Sequence, residues 1–201
     1  DGLGDTALID GSYFKPFGCC RHIHGALDAL LALRQEHDFV ASDIDSIEVN
    51  TYRATFNLSN LPAPGSLVEA QYSVPFCAAL VTLHGADALL PMHDAQLQDT
   101  RVLQLARRVT VALDPAIEPL FPQRSPARVA VRLRNGVVLA SPLVDPRGDP
   151  SCPLSWDDLV RKFRQVSART LGARRQAAVL AALEQFEQGH VAPLCRALQL
   201  L

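Results

Sequence analysis

The chain has 201 residues, of which 48% are hydrophobic and 20% charged, with a formal net charge of -2. Such a chain can bury a hydrophobic core, so the composition excludes an intrinsically disordered protein. Lys and Arg are spread along the chain, which excludes the concentrated basic surface of a nucleic-acid-binding protein. No apolar run reaches the roughly 18 residues of a membrane span, so no membrane partner is expected.

The cysteines indicate the environment in which the protein works. There are five, an odd number, and Cys19 and Cys20 are adjacent. Adjacent cysteines seldom pair with each other because a disulfide bond needs a wider separation. We therefore expect a reducing, cytoplasmic environment. The acidic, glycine-rich start is unlike a signal peptide and lacks an initiator Met, so we expect a fragment or a processed chain.

The first quarter of the chain predicts a loop, a strand, a helix and a second strand. Residues 1–11 are expected to be a loop. Residues 12–17 are expected to form a short strand at a sheet edge, since Pro16 has no N–H to donate. Leucines at helical spacing predict a helix over residues 22–37. Apolar and polar residues alternate over 43–52, which is typical of a strand with one buried face.

The middle of the chain predicts two helices and a strand. Residues 66–69 fit a capping box, from which a helix would run to about His84. Pro75 either kinks this helix or marks its true start. A short helix is expected over 99–107 and a strand over 108–113.

The clearest local pattern is a β-hairpin. Small or apolar residues alternate with arginines over 127–134, and residues 137–140 form the returning strand. Between them, Asn135-Gly136 favours a type I′ turn. The arginine side is expected to be a solvated face. Turn-forming residues over 145–153 mark a natural boundary.

The residues beyond this boundary predict helices only. Ser155 would cap the first helix. Residues 173–189 would form the second helix, and residues 193–200 would form a last short turn. The expected fold is therefore α+β: residues 1–150 form a small antiparallel-sheet domain with packed helices, and residues 151–201 form a helical part. Roughly fifty helical residues cannot bury their apolar faces alone, so the helical part needs a partner surface.

One segment concentrates the reactive side chains. One Lys, one Arg, two His and two Cys lie between Lys15 and His24. The spacing of its cysteines and histidines does not fit the common zinc patterns, so no metal is expected. These residues are Cys19, Cys20, His22 and His24. From the residues alone, Lys15 could equally be solvated and His24 a residue that caps a helix.

Four segments of the chain also match known motifs in the same order. Residues 13–24 match Lys-Pro-Tyr-x-x-Cys-Arg-x-x-His, and residues 69–77 match Ala-Lys/Gln-Phe/Tyr-Ser-x-Pro-Tyr. The Asn135-Gly136 hairpin and a Pro-Leu-Ser…Lys-Phe-Arg ending over 146–164 follow. With these motifs, the chain resembles the MmgE/PrpD family, which includes 2-methylcitrate dehydratase, cis-aconitate decarboxylase and iminodisuccinate epimerase.

The resemblance implies that the chain is part of a longer protein. Family members combine a large all-helical domain, formed by the N-terminal half and the C-terminal helices, with a smaller α+β lid. Residues 1–150 would be the lid, and residues 151–201 would be the C-terminal helices of an incomplete helical domain. The N-terminal helical domain, with its catalytic Asp and His, would be missing. A homodimer is also expected.

The resemblance further implies a lyase of the dehydratase type. The family reaction abstracts a proton next to a carboxylate of a small di- or tricarboxylate and expels hydroxide or carbon dioxide. Dehydration of 2-methylcitrate in propionate catabolism is expected. Decarboxylation of cis-aconitate and epimerisation of iminodisuccinate are the alternatives within the family. No cofactor is expected for any of them. A non-catalytic remnant that dimerises or binds a partner is the alternative from another class. The 201-residue chain alone is expected to be inactive.

The family motifs carry five expected site residues. Lys15 and His24 are expected to be catalytic, Lys15 by pairing with a substrate carboxylate and His24 as a neutral acid or base at a helix N-terminus. Arg21 would bind a second carboxylate. Gln71 and Tyr72 are expected to bind substrate. Tyr72 could equally be a core aromatic residue with a satisfied hydroxyl.

Overall fold

The chain, in a computed structural model, forms two compact units, Asp1–Leu154 and Ser155–Leu201. The structure describes Gly4 and residues 7–199. The first unit combines helices with a four-stranded sheet, which confirms the predicted α+β class. No described helix combines the length and the apolar character that a membrane crossing needs.

Among its described residues, the first unit contains four α-helices and four β-strands. Its helices are α1 (Arg21–Glu36), α2 (Leu67–Gln71), α3 (Val74–His84) and α4 (Thr100–Ala106). Its strands are β1 (Ile44–Thr51), β2 (Val109–Leu113), β3 (Arg128–Leu133) and β4 (Val138–Ala140). Leu8–Gly11 form a 3-10 helix, and the rest of the loop predicted over 1–11 lies largely outside the described residues.

The second unit, where it is described, is helical as predicted. Its helices are α5 (Trp156–Ser167), α6 (Ala173–Glu187) and α7 (Val191–Gln199). Ser155 caps α5 by accepting a hydrogen bond from the N–H of Asp158. The predicted end of the last helix at Leu200 lies outside the described residues.

The sheet is mixed, so the prediction of an antiparallel sheet is wrong. Its strand order is β2-β1-β3-β4. The pairs β1–β3 and β3–β4 are antiparallel, but β1 and β2 run parallel. Between β1 and β2 the chain passes through α2, α3 and α4, and such a crossover brings the next strand back in the same direction.

The core lies between the sheet and two helices. α1 packs against β3, α3 packs against β2, and the two helices pack against each other. Along β1, Ile47, Val49 and Thr51 are buried and Glu48 is exposed, as the alternation predicted. α1 faces this core with three of its four leucines, Leu27, Leu30 and Leu33, whose side chains are buried.

The single helix predicted from residue 66 to His84 is two helices. Ser66 accepts the N–H of Glu69 at 3.2 Å and begins α2, so half of the predicted capping box forms, while the Glu69 carboxylate accepts the N–H of Gly65 rather than that of Ser66. Ser73 then accepts the N–H of Phe76 at 3.1 Å and begins α3, with Pro75 in its first turn. Pro75 therefore marks the start of a helix, which was one of the two predicted possibilities.

The hairpin forms at the predicted residues, but its turn is of another type. A type I′ turn needs positive φ at both central residues, and here only Gly136 has it, at 90°. The N–H of Gly136 donates to Leu133, whose own N–H donates to Val137 across a three-residue loop. A glycine in the left-handed conformation at the end of such a loop is a common alternative hairpin.

Residues 12–17 do not form the predicted strand, and the chain bends at Pro16 and Phe17. The N–H of Phe14 donates to the carbonyl of Gly148 at 2.8 Å. Pro16 has no N–H to donate, and these residues carry no strand pairing in the structure. The segment is therefore attached to the rest of the unit at single points rather than through a ladder.

The contact between Phe14 and Gly148 generates a stability prediction. Gly148 has a φ of 92°, and a Cβ at this position would lie 1.9 Å from the carbonyl oxygen of Phe14. We expect Gly148→Ala to lower the free energy of unfolding by about 3 kcal/mol, since backbone strain and collision add.

Gly136→Ala is the matched control. Gly136 has a φ of 90°, but a Cβ there would have no atom within 4 Å, so a loss of only about 1 kcal/mol is expected. Urea unfolding of both variants measures the difference. Equal losses would show that the close approach to Phe14 does not constrain the fold.

Asp99 generates a pH-dependent prediction. It caps α4 and accepts a hydrogen bond from His84 at 2.8 Å. Burial raises the pKa of Asp99, but hydrogen bonds from His84 and from two backbone N–H groups outweigh burial and lower this pKa overall. The contribution of ionised Asp99 to the stability of the fold is therefore complete above its unfolded-state pKa of about 4, and it is lost as the pH falls through the lowered pKa of the folded state.

Asp99→Asn removes the negative charge but keeps the helix cap, because Asn caps helices about as well as Asp. At pH 7 the variant is expected to be less stable by about 1 kcal/mol, and this difference should shrink towards zero near pH 2.5. Asp94→Asn, at an exposed position, is the control. A difference that is unchanged between the two pH values in urea unfolding would contradict the prediction.

Candidate functional site

The segment from residue 13 to residue 20 leads into α1 and is attached to distant parts of the first unit. The N–H of Phe14 bonds to Gly148, and the N–H of Cys20 donates to the carbonyl of Gln71 at 2.8 Å. The two motifs predicted to form the site, around Lys15 and around Gln71, are thus adjacent in space at the N-terminal end of α1.

Two crossed ion pairs join α1 to the loop over residues 146–149. Arg21 of the helix pairs with Asp149 of the loop, and Arg21 also donates to two loop carbonyls at 3.0 and 3.3 Å. In the other direction, Asp28 of the helix accepts the side-chain Nε of Arg147 at 2.8 Å and its backbone N–H at 2.9 Å. Each element therefore supplies one cation and one carboxylate to the other.

Helical spacing explains why these side chains reach the same loop. Arg21, His24 and Asp28 are three and four positions apart, which places them on one face of α1. The Arg21 and Asp28 side chains are 10% and 6% exposed. Because Arg21 and Asp28 are nearly buried, removing Asp149 or Arg147 would leave a poorly solvated charge on the helix and cost about 3–5 kcal/mol.

His24 is fully buried on that face. Its Nε2 lies 3.3 Å from the carbonyl oxygen of Cys19, and its Nδ1 lies 3.4 Å from a guanidinium nitrogen of Arg21. Its ring meets that of Phe17 edge-on at 5.1 Å. A catalytic role for His24 stays a prediction. The geometry favours a positioning role, because both ring nitrogens face protein atoms.

Lys15 and Tyr72, unlike His24, are exposed. Burial raises the pKa of the neighbouring Cys20 thiol, while the N–H groups at the start of α1 and the charge of Lys15 offset part of this rise. The positive charge of Lys15 thus acts on Cys20, the residue that precedes α1. Tyr72 is 46% exposed, so it is not the core aromatic residue that was the alternative interpretation.

A cleft of about 510 Å³ opens beside the first turn of α1. Two Arg–Asp pairs lie in its wall, Arg21 with Asp149 and Arg124 with Asp145. The other lining residues are mostly aromatic or polar: Gly11, Tyr13, His22, Phe121, Pro122, Gln123, Ser125, Pro150 and Ser151. Of the five predicted site residues, only Arg21 lines this cleft.

An aromatic cluster of His22, Tyr52 and Phe121, at the wall of the cleft, was not predicted. Nδ1 of His22 lies 2.7 Å from the hydroxyl oxygen of Tyr52, and the Tyr52 ring stacks on Phe121 at 4.5 Å. Burial lowers the pKa of His22 and raises that of Tyr52 to about 12. His22 had been considered only as a metal ligand and Tyr52 only as the end of a strand. Sequence spacing does not relate residues that are 30 positions apart.

No group of three or more described His, Cys, Asp or Glu side chains is arranged to hold a metal ion. The cysteines and histidines between residues 19 and 24 instead take separate positions. Cys19 and His24 are buried in the core, whereas Cys20 and His22 are half-buried.

Comparisons with known proteins agree with this architecture. The family model of the MmgE/PrpD C-terminal domain matches residues 17–188. The chain is also 24% identical over 180 residues to cis-aconitate decarboxylase of Mus musculus, a match that covers 87% of this chain and 36% of that protein. The chain thus spans about a third of the length of this curated relative. Since the family model covers most of the chain, as the four sequence motifs predicted, the protein belongs to the MmgE/PrpD family.

Proposed function

We propose that the chain is the C-terminal part of an MmgE/PrpD lyase that removes water from 2-methylcitrate or a closely related tricarboxylate. The observation that carries this proposal is the exposed cation of Lys15 beside the N-terminal end of α1. A lysine and a helix N-terminus are both favourable to a carboxylate, and here the segment with the family's Lys-Pro motif leads directly into the start of α1.

The proposed chemistry begins with the loss of a proton next to a substrate carboxylate. Negative charge then grows on that carboxylate, and Lys15 stabilises it together with the N–H groups at the start of α1. Gln71 and Tyr72 bind the remainder of the substrate, which the proximity of Gln71 to Cys20 and the exposure of Tyr72 support. Arg21 is already paired with Asp149, so a substrate carboxylate would share its charge.

Decarboxylation of cis-aconitate is the second candidate. It is supported by the similarity to the mouse protein that carries this name. Both reactions concern a small tricarboxylate, and the first steps of carboxylate binding are the same. The two candidates differ in the bond that is broken, so product analysis distinguishes them.

A partner surface is part of the proposal. Large apolar side chains of the second unit are exposed, among them Trp156 at 52% and Phe186 at 46%. We propose that an N-terminal helical domain covers such residues and that the complete protein is a cytoplasmic homodimer in propionate catabolism. The short span of the chain relative to its curated relative supports the first of these statements.

The role of Lys15 is tested in the full-length protein that contains this chain. Lys15→Ala is expected to lower kcat/KM on 2-methylcitrate or cis-aconitate by about 100-fold or more, and Lys15→Arg by less, because Arg keeps the charge. Arg132→Ala, which removes an exposed cation from β3, is the control and should keep wild-type turnover. Unchanged kinetics in Lys15→Ala would remove Lys15 from the site.

The isolated 201-residue chain is expected to turn over neither substrate. Proton abstraction needs a base and a water-excluding site, and Lys15 and Tyr72 of the proposed site are exposed. Absorbance assays that compare the turnover of both substrates by the isolated chain and by the full-length protein test this prediction. Robust turnover by the isolated chain would contradict the prediction that a further domain supplies part of the site.

A further inference from the structure

His22 has one ring nitrogen bound inside the protein and the other open to solvent. Its Nδ1 lies 2.7 Å from the hydroxyl oxygen of Tyr52. Its Nε2 has no hydrogen-bond partner among the described residues and is not one of their buried unsatisfied atoms, so it contacts solvent. Because His22 lines the cleft, this nitrogen is available to a ligand there.

Tyr52 determines which ring nitrogen of His22 carries the proton. Burial raises the pKa of Tyr52 to about 12, while hydrogen bonds with Thr55 and Ser125 offset part of the rise. The phenol therefore keeps its proton at neutral pH. Among the described residues, Nδ1 of His22 lies 2.7 Å from the buried phenol oxygen and is the nearest acceptor for its proton, so the phenol proton is directed to Nδ1 and the neutral imidazole carries its own proton on Nε2.

The direction of this Nε2–H group is set before any ligand binds. The His22 ring centroid lies 5.5 Å from that of Tyr52 and 5.5 Å from that of Phe121. Tyr52 and Phe121 in turn stack on each other, and Tyr52 is fully buried. A donor that is oriented in advance loses little entropy on binding, which is what an anion-stabilising site requires.

The charges around His22 permit an anion in the cleft. Both carboxylates of the cleft wall, Asp145 and Asp149, are paired with arginines. Arg124 uses Nε and one terminal nitrogen for Asp145, and its other terminal nitrogen has no partner among the described residues. The remaining ionisable neighbours are Tyr13 in the cleft wall and Cys20 at the start of α1.

We infer that His22 contacts substrate, with its Nε2–H donating to a carboxylate oxygen of a small di- or tricarboxylate in this cleft, and that Tyr52 is its positioning residue. The choice of ligand rests on the proposed function. Lys15 does not line the cleft, so this carboxylate differs from the one assigned to Lys15, and the neutral, oriented imidazole N–H stabilises its charge without transferring its proton. His24 is fully buried and has no such access.

Two amide substitutions separate this role from a structural one. In His22→Asn the amide takes the place of Nδ1 and keeps a contact with Tyr52, but no atom reaches the position of Nε2. In His22→Gln the amide reaches the position of Nε2 and the bond to Tyr52 is lost. His37→Asn, at the exposed end of α1, is the control.

The measurement is calorimetric titration of citrate, as the probe, into the full-length protein that contains this chain. We expect the Kd for citrate to rise about tenfold or more in His22→Asn, about threefold in His22→Gln, and not at all in His37→Asn. A purely structural histidine would give the reverse order for the two His22 variants. Nitrogen-15 NMR of the imidazole adds a readout of positioning: Nε2 is protonated in the wild type, and Tyr52→Phe produces a tautomer mixture.

The outcomes separate the inference from the proposed function. Absence of citrate binding in the wild type, or wild-type affinity in His22→Asn, overturns the inference. If Lys15→Ala abolishes turnover while His22→Asn keeps both turnover and citrate affinity, only the inference fails. If citrate binding depends on His22 in a protein that turns over neither carboxylate substrate, the inference stands and the proposed function fails.

Discussion

The candidate site depends on the crossed ion pairs between α1 and the loop over residues 146–149. Arg21 and Asp28 project from one face of the helix. Arg21 pairs with Asp149 of the loop, and Asp28 pairs with Arg147. Neither element can move without separating Arg21 and Asp28, both nearly buried, from their partners in the loop, which is expensive in a medium of low dielectric. The same loop binds Phe14 through Gly148, so these contacts also position the segment that carries Lys15.

This arrangement divides the polar residues at the start of α1 between two tasks. The face with Arg21, His24 and Asp28 holds the loop, and apart from Nε of Arg21 its hydrogen-bonding groups contact protein atoms. His22 lies on another side of the same turn, between the aromatic rings and the cleft. We therefore propose that a ligand contacts side chains outside the loop-binding face, among them Lys15 and His22, as well as Arg21, which lines the cleft.

Local structure was predictable wherever a short-range rule decided it. The alternation of Ile47, Val49 and Thr51 and the caps at Ser66 and Ser155 involve residues close in sequence, and the structure confirms them. The parallel pairing of β1 with β2 was missed because it depends on the crossover between them. The hairpin turn was missed for a different reason, since Asn135-Gly136 is compatible with more than one loop length.

The sequence by itself determined the family, the α+β class and the position of the helix that begins at the reactive cluster, because motifs and periodicity are properties of neighbouring residues. It also singled out Lys15 and Arg21. Only the tertiary structure decided which histidine of the cluster is buried and which reaches solvent. His22 and His24 are two positions apart on a helix, so they point in different directions. Which direction leads into the core depends on the loop over residues 146–149 and on Tyr52, and both are distant in the chain.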